Sequence, residues 1–312
     1  MMKLDNARIL VVGAGVNGSA CASVLLNGGI DVTILARGKR YGDIQKEGII
    51  IENPLNNKRF VTRVPVINKL APEDIYDYIL VVIRKNQVSE LLPILADNRS
   101  PNIVFMGNNL AGPDEYTDAL GKERVMMGFV FAGGRREDNV IKAIISRSIA
   151  VPFGEINGIL TPRLNRLINI IRQGGFKAKA STCILDFLAT HASGVPLFGK
   201  LTIKYGLDNR KLAGSTEDLR ILLNAMRESF QVLKSLGYKI VPKSQNIINF
   251  LPRFIIIAVL RALLSSKLGE VGLVYHVSQA PDEISYLAQE LEVLVEKSGL
   301  SAPSIKKILD MY

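Results

Sequence analysis

Residues 8–27 read RILVVGAGVNGSACASVLLN, an apolar run that breaks at glycine and resumes as a helix-like segment. The β-branched run ends at Val12, and Gly13-Ala14-Gly15-Val16-Asn17-Gly18 follows without a spacer. Strand, GxGxxG and helix in that order make the phosphate-binding turn of a dinucleotide fold. In such a turn Gly13 permits the tight reversal, Gly15 leaves space for a pyrophosphate, and Gly18 lets helix and strand approach closely. The helix start presents unpaired N–H groups to anionic oxygens. Val16 and Asn17 lie there and join the three glycines as cofactor-binding candidates. The bland alternative is a strand terminator that meets no nucleotide.

Outward from the turn, DVTILA (31–36) supplies a second strand and ends in Arg37-Gly38-Lys39-Arg40. An NAD-selective site places Asp or Glu at that end to hold the ribose hydroxyls. Asp31 sits too early in the strand for this role. Arg37 can instead make a planar, paired contact with a ribose phosphate, with Lys39 or Arg40 adding charge, so NADP is favoured over NAD. A solvated basic loop that touches no ligand is the competing reading.

Further along, YILVVI, NIVFMG and RVMMGFVF repeat the near-continuous apolar strand pattern, which implies a largely parallel sheet covered on both faces. GIIIEN and RFVTRV, between Ile49 and Val66, read as an excursion from it. VIKAIISR and IAVPFGEI resemble edge or hairpin strands. Pro162–Gln173 then forms an amphipathic helix with Thr161 as a cap, and Gly174-Gly175 ends it. Beyond Lys179 the pattern is helical. Ser215 starts one helix that Gly237 stops, another follows Pro281 with a stripe of Ile284, Leu287, Leu291 and Leu294, and Pro303 opens the last. The expectation is an α/β protein: an N-terminal Rossmann-like NADP-binding domain over 1–179 and an all-helical domain for substrate and dimerisation over 180–312.

Composition limits the classes. The chain has 312 residues, 48% hydrophobic and 22% charged, enough for one large or two ordinary cores. Its 39 Lys and Arg against 29 Asp and Glu give a net +10, which suits anionic partners without choosing among them. No zinc finger, RNA-binding sheet motif or basic helix accompanies that charge, so no specific nucleic-acid partner is expected. Cys21 and Cys183 are the only cysteines, too few for a disulfide framework or a cysteine zinc site. His191 and His276 are the only histidines, no HExxH is present, and no bound metal is expected. The greasiest late run, FIIIAVL from Phe254 to Leu260, falls far short of the roughly 20 apolar residues of a membrane span and reads as a buried helix. No membrane partner and a cytoplasmic location are expected.

Ligands bind outside the carboxyl ends of parallel strands. That rule singles out Arg84-Lys85-Asn86-Gln87, after YILVVI, and Asn108-Asn109, after NIVFM. Arg84 could hold a substrate anion; Lys85 could point inward beside it or be ordinary surface, and Gln87 could cap the next helix. Asn109 equally suits a turn. His191, in FLATHASG, could donate a proton near neutral pH or be a packed, neutral imidazole.

Taken together, VVGAGVNG, ILARGKR, VVIRKNQV, FMGNNLAG, a central VP and the late EISYLAQELEVLVEKSGLSAP resemble the ketopantoate reductase (2-dehydropantoate 2-reductase) family over nearly the whole chain. The resemblance implies an NADPH-dependent oxidoreductase of pantothenate biosynthesis type, reducing a 2-oxo acid in an interdomain cleft, and a homodimer. It places Arg84 at the family's first-domain lysine, Asn108 at the asparagine after the next strand, and Glu283 at the substrate-contacting acid. The central helix departs from the family. Counting back from Val195-Pro196, Phe187 stands at the catalytic lysine, His191 at an intermediate asparagine and Val195 at a second one. His191 is then the candidate proton donor beside Arg84 and Glu283, with Lys200 and Lys204 as downstream substitutes. An NADP-binding regulator or scaffold that has lost catalysis is the alternative.

Overall fold

The computed structural model describes residues 6–130 and 132–311. Phe131, the end of the predicted strand RVMMGFVF, lies outside them. Contacts divide the chain into two compact units: the described residues through Gly107 with Pro113–Ile184, and Asn108–Gly112 with the described residues from Leu185.

The first unit is built on twelve strands. They are β1 (Arg8–Val12), β2 (Asp31–Leu35), β3 (Ile49–Glu52), β4 (Arg59–Thr62), β5 (Val66–Ile67), β6 (Tyr78–Val81), β7 (Ile103–Met106), β8 (Val125–Gly128), β9 (Ala132–Glu137), β10 (Val140–Ile145), β11 (Val151–Glu155) and β12 (Ala178–Ala180). Eight make one sheet in the order β12-β11-β8-β7-β6-β1-β2-β5. Its pairs are parallel apart from β11 against β8. Helices α1 (Val16–Asn27), α2 (Gly38–Glu47), α3 (Val88–Asp97), α4 (Asp114–Leu120) and α5 (Pro162–Gln173) connect them. Val12, Val81 and Met106 are all buried, as crossover helices on both faces require.

One strand expectation holds and one changes. The excursion is a hairpin, β3–β4, inside a second sheet of order β4-β3-β10-β9. The segment VPFGE, read as an edge or hairpin strand, is instead interior to the large sheet and buried at every residue. It needs cover on both sides because β12 extends the sheet past it. β9, AGGRRE, carries too many glycines and arginines to register as a strand by pattern. It forms because β10 pairs with it along its whole length. Thr161 caps α5 as read, its hydroxyl accepting from Leu164 N at 3.2 Å.

The second unit holds α6 (Ile184–Lys204), whose first residue still belongs to the first unit, then α7 (Asn209–Gly214), α8 (Thr216–Ser235) and α9 (Arg253–Ser265). α10 (Lys267–Gly269) leads through a π-turn at Glu270–Val274 into α11 (Tyr275–Gln279), and α12 (Pro281–Ser298) and α13 (Pro303–Leu309) complete it. The division between units follows Ile184 rather than Lys179, because β12 still extends the sheet and Ile184 packs against Gly154 of β11. Ser215 caps α8 through Asp218 N, and α12 buries Ile284, Leu287, Leu291 and Leu294. α9 departs from its expectation as a buried helix: Ile256, Ile257, Leu260 and Leu264 are buried, while Phe254, Val259 and Leu263 are exposed.

The turn after β1 is fixed by contact. Gly13 sits at φ +107°, where a side chain would strike the Val82 carbonyl, and a Cβ on Gly18 would overlap the Gly13 carbonyl oxygen. G18A is expected to lower stability by about 1–3 kcal/mol, since the backbone in its way cannot rotate aside. G15A, where nothing lies within 4 Å, should cost less than about 1 kcal/mol. Urea unfolding of the two variants, compared by midpoint and slope, checks the difference.

Candidate functional site

β1 and β2 end side by side, Val12 paired with Leu35, and their loops frame a cavity of about 470 Å³. Gly13, Ala14 and Gly15 line one part of it, and Arg37, Arg40 and Arg136 another. Asn86, Gln87 and Glu90 contribute from the chain after β6. α1 begins at this cavity with Gly15 as its N-cap, no side-chain cap and no acidic residue in its first turn. The helix therefore directs its free amides and positive end toward the space without an internal counter-charge.

The basic segment Arg37–Arg40 divides its labour. Arg40 is buried and turned inward, donating from Nε to the Ala14 carbonyl at 3.2 Å and from Nη2 to Ser19 Oγ at 3.3 Å. It thereby ties α2 to the phosphate turn. Burial, with repulsion from Arg136, pushes its pKa down to about 10 against the opposing pull of Asp43, and it remains a cation at pH 7. Lys39 is exposed and paired with Asp43 at 2.8 Å, so the expectation that it adds charge to the cofactor site is not carried by its contacts. Arg37 is exposed at the cavity. Among the described residues the side chains of Arg37 and Arg136 form no hydrogen bond or ion pair.

Arg136 was not found by sequence reasoning. It stands on β9, about a hundred residues from the glycine turn, and enters only because the second sheet carries it there. The RR pair in AGGRRE was its one local signal. Asn17 has a different task from its neighbours: its Oδ1 accepts from Ala132 N at 3.0 Å, anchoring the start of β9 beside α1. Val16 is half-buried against the core.

After β6, Arg84 is half-buried and precedes a single 3₁₀ turn, Lys85–Gln87. Lys85 is not surface. Its Nζ lies 3.0 Å from Glu115 Oε2 and 4.6 Å from the centre of the Tyr116 ring, which stacks on Phe105. A buried ammonium needs such a partner, and this one fastens the turn to α4. Gln87 is exposed at the cavity and provides no side-chain cap to α3.

In the second unit the remaining candidates fall into one cluster. Glu283 is buried in the first turn of α12. Asn108 Nδ2 donates to its Oε1 at 3.3 Å, and His276 Nε2 lies 3.5 Å from its Oε2. Asn109, open to either reading, serves its turn: Oδ1 accepts from Gly112 N at 2.8 Å. His191 keeps solvent contact on α6 one turn from Phe187, their rings nearly parallel at 6.4 Å. Desolvation by the surrounding protein and the nearby His276 lower its pKa from 6.5 to about 4. It is therefore neutral at pH 7, in keeping with the neutral-imidazole reading of the sequence. Lys204, the downstream candidate, points to α8: its Nζ is held by Asp218 Oδ2 at 2.7 Å, and Tyr205 donates to the same oxygen at 2.6 Å. Among the described residues no group of His, Cys, Asp and Glu could hold a metal ion.

Residues 9–155 match the family model described as Ketopantoate reductase PanE/ApbA. The uncharacterized oxidoreductase YkpB of Bacillus subtilis strain 168 is 28% identical over 163 residues, 51% of this chain and 52% of that protein. The chain thus spans about half the length of this curated relative. Among solved structures, 2-dehydropantoate 2-reductase from Geobacter metallireducens GS-15 superposes with a TM-score of 0.79 at 18% identity, covering 97% of this chain and 98% of that one. The ternary structure of D-mandelate dehydrogenase with NADH and anilino(oxo)acetate gives 0.79 at 16% identity, covering 97% and 96%. At such identities the likeness establishes the fold.

An NMR pH titration of the His191 imidazole tests the local electrostatics. His191 should titrate near pH 4, and H276Q should move that midpoint upward by removing a competing positive charge. An unmoved midpoint would show that the two rings do not sense each other.

Proposed function

We propose that this protein, whose residues 9–155 match the ketopantoate reductase PanE/ApbA model, is an NADPH-dependent reductase of a small 2-oxo acid. The observation that carries the reading is the pairing of an open glycine turn with two unengaged arginines at one cavity. Gly15 leaves unfilled the space where a pyrophosphate would rest, and the α1 amides face it. Arg37 and Arg136 would hold the ribose 2′-phosphate, a dianion that NAD lacks. Arg40 contributes its field while its donors keep the turn in place.

A reduced nicotinamide, when bound, supplies the hydride. The chain's own residues receive and orient the substrate. Arg84 pairs with the carboxylate of the 2-oxo acid, its planar guanidinium matching two oxygens where the family lysine offers a point charge. His191, neutral at pH 7, offers its ring N–H to the oxygen on which negative charge grows, since Phe187 has no exchangeable proton. Glu283, held by Asn108, accepts from a substrate hydroxyl and sets its orientation.

Cofactor binding and turnover separate these assignments. R37E and R136E should each weaken NADPH binding by about tenfold to a hundredfold and leave NADH binding within about threefold, as loss of one charge-assisted contact predicts. Equal losses for both cofactors would place the arginines elsewhere than the 2′-phosphate. In NADPH oxidation assays across 2-oxo acids, H191A should lower kcat by about tenfold or more with NADPH affinity retained. NADPH binding with no turnover on any 2-oxo acid would instead favour a regulatory or scaffold protein.

A further inference from the structure

α9 presents an apolar face to solvent as well as to the core. Ile256, Ile257, Leu260 and Leu264 point inward, and at 3.6 residues per turn the opposite side carries Phe254, Ala258, Val259, Ala262 and Leu263, all exposed. Phe254 is 73% exposed, and Phe250, just before the helix, is 82% exposed. An ordinary surface helix turns polar groups outward, because water solvates them at no cost to the core. Contiguous apolar surface of this kind marks a place where something else docks.

The stretch of sequence that carries it is basic, with Lys267 at its end paired to Glu270 at 3.0 Å. From Ser229 to Gly269 the chain contains no Asp or Glu, while Lys234, Lys239, Lys243, Arg253, Arg261 and Lys267 fall within it. Arg220, Arg253 and Arg261 surround Phe254 at a cavity of about 540 Å³ on the same face. Arg261 holds its place by donating to the Ala213 carbonyl at 2.9 Å and to Thr216 Oγ1 at 2.8 Å. With 13 residues α9 is too short to span a bilayer, and no helix among the described residues is long and apolar enough to do so.

We propose that α9 is an interfacial helix that docks on an anionic lipid surface. Phe250, Phe254, Val259 and Leu263 enter the boundary between headgroups and acyl chains, and Arg220 and Arg253 pair with lipid phosphates. The sequence expectation of no membrane partner rested on the shortness of the apolar run, which excludes a span and leaves a peripheral contact open. A second copy of the chain is the other occupant an apolar face can take, and the test below separates the two. The proposal stands independently of the cofactor assignment.

Sedimentation of the full chain with vesicles decides it. The protein should pellet with phosphatidylcholine–phosphatidylglycerol vesicles and not with phosphatidylcholine alone. Raising salt from about 50 to about 300 mM should reduce the bound fraction several-fold. F254N/V259N and R220E/R253E should each weaken partitioning by about tenfold, with circular-dichroism melting confirming that both variants fold. Absence of binding to the anionic vesicles overturns the proposal, as does binding that the folded variants leave unchanged. Light scattering that shows a dimer in the wild type and a monomer in F254N/V259N, without vesicle binding, assigns the face to a second copy and equally overturns it.

Discussion

The contact between Gly18 and the Gly13 carbonyl sets the geometry of the first unit. With no Cβ at Gly18, α1 starts against the end of β1, and its free amides open onto the crevice where β1, β2 and β6 end. A methyl group there separates helix from strand and turns the free amides of α1 away from the cavity. The loop after β1, the start of α1 and the part of the cavity they line take their positions from this close approach.

Around that turn, charge is partly structural and partly free. Arg40 spends its donors on Ala14 and Ser19, and Lys39 spends its charge on Asp43, although both lie in the same basic run as Arg37. What remains available comes from two distant segments, Arg37 at the end of the second strand and Arg136 on the small sheet. A guanidinium held by the protein's own carbonyls is preorganised but cannot reorient to a ligand, whereas one facing an open cavity can. The same division occurs in the helical unit. Lys204 is committed to Asp218, while His191 stands one turn from Phe187 with its ring nearly parallel to the phenyl.

Glu283 shows how the helical unit accommodates a buried acid. Asn108 donates to one oxygen and His276 lies near the other. Asn108 follows β7 in sequence but groups with the helices, so the short stretch Asn108–Gly112 belongs to the second unit. The second hydrogen bond from this stretch, Leu110 N to Glu290 Oε2 at 3.1 Å, fixes it along α12.

The parallel strands, the glycine turn, the Thr161 and Ser215 caps and the stripe on α12 were all legible in the sequence, because each depends on near neighbours in the chain: periodicity, a cap three residues away, a glycine where backbone must pass backbone. Tertiary structure alone decided that AGGRRE is a strand, that Arg136 joins Arg37, that Arg40 and Lys85 turn inward, and that half of α9 faces water. Those outcomes depend on which segments pair across a hundred residues and on which charges find partners before solvent does. Local pattern records how apolar a residue is; the packing of distant elements determines what it meets.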